Sequence, residues 1–287
     1  MEIIGDQKIW TFKDGVPAIF QSTCADVRRS DAFHVRNYLD LATKVADLQF
    51  HNRDHVLMFR GQGREFKNDK RNTSLKPSIL RSLSGSKAVP SLDAIGQRFR
   101  KLKLAEAALV QTYRMRGFRG IQRLERQQIL RWSILQHYEI CPTPLLDVTH
   151  SLRVAASFAS EGADDSAYIF VLGVPQVSGA ITASAEAGLQ VVRLSSVCPP
   201  SAVRPHLQEG YLIGEYPDFS SVDQKQLYPH FEMDFGRRLV AKFRFDPRAF
   251  WGKSKGFPKI PRNALYPLPK SDPMCELAGA VKIATSP

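Results

Sequence analysis

The chain has 287 residues, of which 43% are hydrophobic and 24% are charged, and its net charge at pH 7 is +12. This length allows one large domain or two small ones, and this composition excludes wholesale disorder. The four cysteines (Cys24, Cys141, Cys198 and Cys275) are far apart and show no metal-ligand spacing. They argue against a disulfide framework or a zinc ribbon, and for reduced thiols in a cytosol.

The excess of basic residues favours a polyanionic partner such as RNA or DNA. A solvated basic surface that only keeps the protein soluble is the alternative. The first residues, Met1 to Asp6, lack the basic and apolar stretches of a signal peptide, and no apolar run reaches the length of a membrane span. We therefore expect a cytoplasmic protein with no membrane partner.

The first elements along the chain are predicted from apolar spacing and turn residues. A short strand and turn are expected at 10–15, followed by a helix from Ser30 to about Leu48. The apolar run 56–59 predicts a strand that ends at 60–63, where two glycines permit a sharp turn and the close approach of a ligand. Residues 64–90 are expected to form a polar, irregular loop.

Two basic helices are predicted next, the first starting near Ser91 and the pair broken near Gly117 and Gly120. Apolar residues recur on them at helical spacing. The basic positions are Arg98, Arg100, Lys101, Lys103, Arg114, Arg116, Arg119, Arg123, Arg126 and Arg131. They form either a surface for a polyanion or a solvated face.

Strands dominate the second half of the chain. A helix is expected at 151–160, and the strands are expected at 168–174, 188–194, 210–214 and 239–245. The tail after Trp251 carries six prolines and is expected to be irregular. Helices followed by strands, without βαβ alternation, predict an α+β fold. We divide the chain into a lead-in at 1–29, a main domain at 30–250 and a Pro/Lys-rich extension at 251–287.

Arg60 is the first candidate functional residue. A guanidinium at a strand end beside two glycines is suited to bind phosphate through two parallel hydrogen bonds. The alternative is an arginine that pairs with a core carboxylate, such as Asp147.

Three segments together resemble the FRG-domain family over roughly residues 30–250. They are Leu57-Met58-Phe59-Arg60-Gly61-Gln62; then Gln136-His137-Tyr138 with 142–149 and 154–159; and finally Gln208-Glu209-Gly210-Tyr211. Two positions depart from the family pattern: Pro144 replaces the usual arginine and Val148 the usual tryptophan.

The same blocks are distantly similar to the ADP-ribosyltransferase superfamily. This resemblance implies N-terminal helices packed on a split, mostly antiparallel sheet, and NAD as cofactor. Arg60 would match the arginine of the first strand, and Thr149 and Ser151 would lie near the hydroxyl motif. The loop Gln208-Glu209-Gly210 would match the glutamate loop, with Gly210 at the position that usually carries the catalytic carboxylate.

The resemblance also implies roles for individual residues. Cleavage of the nicotinamide–ribose bond passes through an oxocarbenium-like state, which a nearby carboxylate or amide stabilises. The candidate catalytic residues are Arg60, His137, Asp147, Gln208 and Glu209. The candidate cofactor-binding residues are Arg60, Gly61, Gln62, Tyr138, Thr149 and Ser151. His137 would bind ribose or act as a base on the acceptor, and the Tyr138 ring would pack against nicotinamide.

Each assignment has a structural alternative. His137 and Tyr138 could be core residues, Asp147 could belong to a helix cap, and Gln208 could tie down a turn. The functional prediction is an NAD-dependent ADP-ribosyltransferase that modifies a nucleic acid, RNA rather than DNA. We further expect a toxin of a bacterial antiviral defence or toxin–antitoxin module, with an inhibitory antitoxin as partner. A non-catalytic nucleic-acid-binding domain and an NAD hydrolase remain open.

Overall fold

The computed structural model describes residues 7–82, 90–176, 178–227, 233–252 and 256–285. It shows a mixed α+β protein in which most strand pairs are antiparallel, as the sequence predicts. The chain divides into two compact units, each assembled from three stretches. The strand unit contains 1–75, 148–177 and 234–265, and the helical unit contains 76–147, 178–233 and 266–287.

The strand unit begins with a hairpin of β1 (Lys8–Lys13) and β2 (Val16–Thr23), joined by a turn at Gly15 with a φ of 80°. This hairpin confirms the predicted strand and turn. The unit further contains β3 (Phe33–His34), β4 (Val56–Gln62), β6 (Ala167–Val174), β10 (Leu239–Phe245) and the last two residues of β5 (Leu146–Thr149), whose first two residues belong to the helical unit. Their order is β3-β10-β6-β4-β5, and β3 runs parallel to β10 while the other pairs are antiparallel.

The described part of this unit contains four α-helices, of which the sequence predicted the second and third, at 30–48 and 151–160, and not the first and last. They are α1 (Cys24–Arg29), α2 (Tyr38–His51), α6 (Leu152–Ala159) and α10 (Arg262–Leu265). A helix was expected to begin at Ser30, but α2 begins after Asn37, whose side chain accepts a hydrogen bond from the Asp40 amide. The residues before Asn37 are extended because β3 pairs with β10. This long-range pairing overrides the local helical signal.

Gly61 lies inside β4, which continues to Gln62 instead of turning after Phe59. A Cβ atom on Gly61 would overlap the carbonyl oxygen of Ala155 and lie 2.8 Å from the amide nitrogen of Ala159. Helix α6 therefore packs directly on the backbone of β4, and only glycine fits there. The glycine serves helix–strand packing and not the expected turn.

The stretch after β4 is largely irregular, as expected. Its described part contains a bridge between Lys67 and Thr73 and a 3₁₀ turn at Ser78–Leu80. The rest of the predicted loop, residues 83–89, lies outside the described residues.

The helical unit is built on α3 (Leu92–Met115), α4 (Ile121–Arg126) and α5 (Gln128–His137). Ser91 caps α3, and Gly117 and Gly120 have positive φ angles at the predicted break. Leu102, Leu109, Trp132 and Leu135 are among the buried residues that form the core of this unit.

Three antiparallel strands complete the unit in the order β9-β8-β7: β7 (Ile181–Ser184), β8 (Leu189–Arg193) and β9 (Gly210–Glu215). Short helices α7 (Leu194–Val197), α8 (Arg204–Leu207) and α9 (Val222–Leu227) lie around them in the chain. β8 and β9 confirm the predicted strands, and β7 was not predicted.

The C-terminal tail is not irregular throughout. Helix α11 (Pro273–Ala284) begins at Asp272, whose carboxylate accepts a hydrogen bond from the Met274 amide. It buries Met274, Leu277 and Val281 in the core of the helical unit. The many prolines misled the prediction, since Pro273 stands at the first helical position, where proline is favourable. Across the described part of the chain, no helix is both long and apolar enough to cross a membrane.

Candidate functional site

The candidate residues divide between the two units. Arg60, Gly61, Gln62, Thr149 and Ser151 lie in the strand unit, and His137, Tyr138, Asp147, Gln208 and Glu209 lie in the helical unit.

A hydrogen-bond network in the helical unit fixes the Asp147 carboxylate. The side-chain Nε2 atom of Gln136 donates a hydrogen bond to Oδ2 of Asp147 over 2.7 Å. The Gln136 carbonyl oxygen accepts from Oγ of Ser78 (2.9 Å) and from Oγ1 of Thr143 (2.7 Å). These partners set the orientation of the amide. The Asp147 side chain is 38% exposed, so its carboxylate is held in place and still accessible.

Asp147 does not cap the following helix. It lies in β5, and the residue that precedes α6 is Ser151, whose side chain makes no capping bond. Instead, Oγ1 of Thr149 accepts a hydrogen bond from the Ser151 amide over 3.0 Å. The hydroxyl motif therefore shapes the entry to α6, and the capping alternative for Asp147 is wrong.

His137 is buried at the end of α5, with its Nδ1 atom 3.8 Å from Oδ1 of Asp147. That distance is too long for a hydrogen bond and short enough for electrostatic interaction. Burial lowers the pKa of His137 below 6.5, although Asp147 acts in the opposite direction. The imidazole is therefore neutral at pH 7.

The Nε2 atom of His137 is buried and has no hydrogen-bond partner among the described residues. A proton on Nδ1 would point the N–H group toward Asp147 and leave Nε2 as a lone-pair acceptor. A nitrogen with a free lone pair can accept a proton; the burial of His137 agrees with the core alternative as well, so the catalytic role stays a prediction.

Gly210 lies against His137. A Cβ atom at this position would be 3.2 Å from Cε1 of His137 and 3.0 Å from Cδ1 of Leu194. The imidazole ring thus fills the space into which a side chain of residue 210 would extend. A carboxylate at this position would displace His137.

The neighbours of Gly210 differ in exposure. Gln208 is buried after the end of α8. Glu209 is exposed and adopts a φ of 45°, in the left-handed region that non-glycine residues rarely occupy. The turn into β9 thus depends on a backbone conformation that glycine would adopt more easily.

Tyr138 is a core residue, and the predicted packing against nicotinamide is not supported. Its ring is buried, and its hydroxyl donates to Oδ2 of Asp272 over 3.0 Å. The same oxygen accepts from the Arg204 amide over 2.9 Å. Burial raises the pKa of Tyr138. Asp272 therefore joins the start of α8 to the start of α11, and the Tyr138 hydroxyl holds this carboxylate in place.

Gln62, at the end of β4 in the strand unit, carries a buried side-chain oxygen that is open to a hydrogen-bond donor. Because side chains alternate along a strand, Arg60 and Gln62 share the face opposite to that on which α6 packs. The Oε1 atom of Gln62 is buried and has no hydrogen-bond partner within the described ranges. A ligand N–H group would satisfy it.

The sequence interpretation gave no role to Gln136, Ser78 or Thr143, which hold Asp147. Gln136 was visible within a signature segment and could have been found as the neighbour of His137. Ser78 lies in an irregular stretch far from the signature, so no sequence signal pointed to it.

Acidic partners neutralise part of the predicted basic surface. Arg131 pairs with Glu106 over 2.7 Å, and Arg116 pairs with Glu276 over 3.0 Å. Arg114 also contacts Glu125. These arginines support both the packing of the helices and their surface charge.

Comparison with known proteins concerns the middle of the chain. Helices and mostly antiparallel strands define a mixed α+β protein, and residues 55–167 match the family model of the FRG domain. The match supports the FRG resemblance over the first two signature segments; the third, 208–211, lies beyond it. No curated protein and no solved structure matches the chain. No group of metal-ligating side chains occurs among the residues that the structure describes.

Proposed function

We propose that the protein is an NAD-dependent ADP-ribosyltransferase, a glycosyltransferase that modifies a nucleic acid, RNA rather than DNA. The observation that carries the proposal is the buried, neutral His137, whose Nε2 is unpartnered among the described residues, beside the anchored carboxylate of Asp147. A base and a carboxylate on neighbouring signature segments are the groups that transfer to a hydroxyl or amine acceptor requires.

His137 would accept the proton of the acceptor O–H or N–H group at Nε2. Bound NAD would supply a ribose C1′ at which the acceptor atom replaces nicotinamide, and nicotinamide would leave as a neutral molecule with the electron pair of the broken bond. Asp147 would stabilise the positive charge that develops on the ribose and on the protonated imidazole. Gln136 would position Asp147, since it holds one carboxylate oxygen. NAD supplies the activated ribose when it is bound.

The strand unit offers groups that fit NAD. The buried Oε1 of Gln62 can accept a hydrogen bond from an amide or amino group, which nicotinamide and adenine both carry. Arg60 on the same strand face is suited to a diphosphate, because its guanidinium forms paired charge-assisted bonds. Gly61 contributes only its backbone, since its side-chain position is occupied by α6.

We further propose a cytoplasmic toxin of a bacterial antiviral defence or toxin–antitoxin module, held in check by an antitoxin protein. This step rests on analogy with stand-alone domains of this kind. The net charge of +12 supports a polyanionic acceptor over a small protein.

The test is incubation of the purified protein with isotope-labelled NAD, with and without RNA, followed by measurement of nicotinamide release and RNA mass. We expect nicotinamide release and labelled RNA, and at least a hundredfold loss in His137→Ala, in line with the contribution of a general base. His206→Ala is the matched control, because His206 is an exposed histidine of the same unit.

Other outcomes would overturn the proposal in distinct ways. Free ADP-ribose without labelled RNA would identify an NAD hydrolase. Salt-sensitive RNA binding without nicotinamide release would identify a non-catalytic binding domain. Gly210 favours this last candidate, since it stands where the transferase pattern has a carboxylate.

A further inference from the structure

Three aromatic side chains form a stack in the strand unit, outside all the signature segments. The Tyr38 ring stacks with Trp251, with centroids 5.8 Å apart and planes at 15°, and with Phe257, with centroids 5.4 Å apart and planes at 30°. We call these three residues the aromatic stack. The buried Phe250 supports it edge-on against Tyr38.

One ring of the stack, Trp251, is held by a hydrogen bond, and another, Phe257, is exposed to solvent. The Trp251 indole N–H donates to Oγ of Ser160 over 3.0 Å, which fixes that ring on the end of α6. Phe257 is 43% exposed, whereas Phe250 is 1% exposed. Phe257, which stacks on Tyr38 and is half exposed, presents aromatic surface to solvent, which a ring needed only for the core would bury.

Positive charge surrounds the stack. Lys259 and Arg262 share a single carboxylate, that of Glu161, at 2.6 Å and 3.7 Å. The side chain of Arg36, two residues before Tyr38, is 83% exposed. Among the described residues, the carboxylates that pair with these three cations include Glu161 and Asp40, the latter 3.9 Å from Arg36.

Arg153 adds a further cation beside the stack. It lies in the first turn of α6, and its charge lowers the pKa of the Tyr38 hydroxyl against the larger raising effect of burial. Its Nε atom is buried and has no hydrogen-bond partner within the described part of the chain. Arg153 as a whole is half-buried, so its guanidinium adds positive charge beside the stack that an incoming anion would find favourable.

We propose that the aromatic stack with Arg153, Lys259 and Arg262 binds single-stranded nucleic acid, with a base on Phe257 and phosphates on the cations. Aromatic faces joined to basic side chains are the combination that binds unpaired bases without sequence preference. The proposal depends on the proposed function only in naming this strand as the acceptor. Binding itself can be measured without NAD, so the two can fail separately.

The experiment measures fluorescence anisotropy of a short, unstructured RNA of alternating A and C, titrated with the full chain in the absence of NAD. We expect Phe257→Ala to weaken binding about tenfold, the usual loss for one stacked base. Phe257→Leu should weaken it nearly as much, because leucine keeps apolar packing and loses the ring. Arg153→Gln should reduce the slope of log Kd against the logarithm of the salt concentration by about 0.7, the change expected for one lost phosphate contact with a single strand.

Phe50→Ala is the matched control. Phe50 is also exposed, at the far end of the same helix α2, and it has Arg53 over its ring at 4.5 Å. It should leave RNA affinity unchanged. Equal affinity of wild type, Phe257→Ala and Phe257→Leu would overturn the proposal, as would an equal loss in Phe50→Ala. Equally tight binding of poly-glutamate would also overturn it, by showing a general anion surface. Loss of nicotinamide release with RNA binding intact would leave this proposal standing and would refute only the transferase function.

Discussion

Gly210 and His137 share one space: a Cβ atom on residue 210 would lie 3.2 Å from the imidazole Cε1 atom. A side chain at Gly210, where the proposed resemblance implies a carboxylate, would therefore contact the imidazole of His137. The imidazole occupies the space of the missing side chain, and its Nδ1 atom lies 3.7 Å from that Cβ position and 3.8 Å from Oδ1 of Asp147. In the proposed reaction, His137, supported by Asp147, would then act where the transferase pattern has a carboxylate.

Substitution of Gly210 should therefore impair catalysis through His137. In Gly210→Ala the new methyl group must shift the imidazole or Leu194 by a few tenths of an ångström, and we expect about a tenfold loss of nicotinamide release. Gly210→Glu should lose more, because its longer side chain must displace the ring. Nicotinamide release and the NMR shifts of His137 provide the measurement. Full activity in Gly210→Glu would show that a carboxylate works there and that the imidazole does not.

The titration of His137 predicts a pH dependence of stability. Its pKa in the folded protein lies below the ordinary 6.5, so the unfolded chain binds more protons as the pH falls below 6.5. Stability is complete above that pH and should decline below it, by at most about 1.4 kcal/mol per pH unit for one histidine. Chemical denaturation between pH 7 and pH 5 measures this decline.

His55 provides the comparison for this measurement, since burial lowers its pKa in the same direction. His137→Gln and His55→Gln should each reduce the slope of stability against pH. An unchanged slope in His137→Gln would mean that the pKa of the imidazole is the same in the folded and the unfolded protein. If His137 is the general base of the proposed transferase, the rate of nicotinamide release should fall as the pH drops below 6.5, because the imidazole must be neutral to accept a proton.

Alanine substitutions at Gly61 and Gly279 should change the stability of the folded protein in opposite directions. Gly61→Ala places a methyl group on the backbone of α6 and should destabilise the protein by about 3 kcal/mol or more. Gly279, inside α11, has open space around its Cβ position, so Gly279→Ala should stabilise by about 0.5–1 kcal/mol. Thermal unfolding of the two variants side by side measures both. A mild effect at Gly61 would contradict the close packing of α6 on β4.

Tyr138→Phe separates a core role from a cofactor role. It removes the hydroxyl that donates to Asp272, and should cost about 1–3 kcal/mol, since the acceptor is a buried carboxylate. It keeps the ring, so nicotinamide release should persist at temperatures where the variant is folded. A rise in the NAD KM without a loss of stability would restore the cofactor role for this residue.

Local sequence determined the elements whose signals are short-range. The alternation of Leu239–Phe245 predicted β10, and Ser91 with the Gly117–Gly120 break placed the ends of α3 and α4. The positions of Arg60, His137 and Gln208 were likewise visible, because they stand within ordered signature segments. Apolar spacing, caps and turn residues act over a few neighbours, so they can be read from the chain alone.

Contacts between distant residues decided the rest. Pairing of β3 with β10 moved the start of α2 to Tyr38, and the core of the helical unit drew the proline-rich tail into α11. Only the fold could show that Gln136 holds Asp147. The fold also showed that His137 fills the space beside Gly210. These contacts depend on where the backbone brings separate segments together, and the free energy of burial that selects them is not encoded in any one segment.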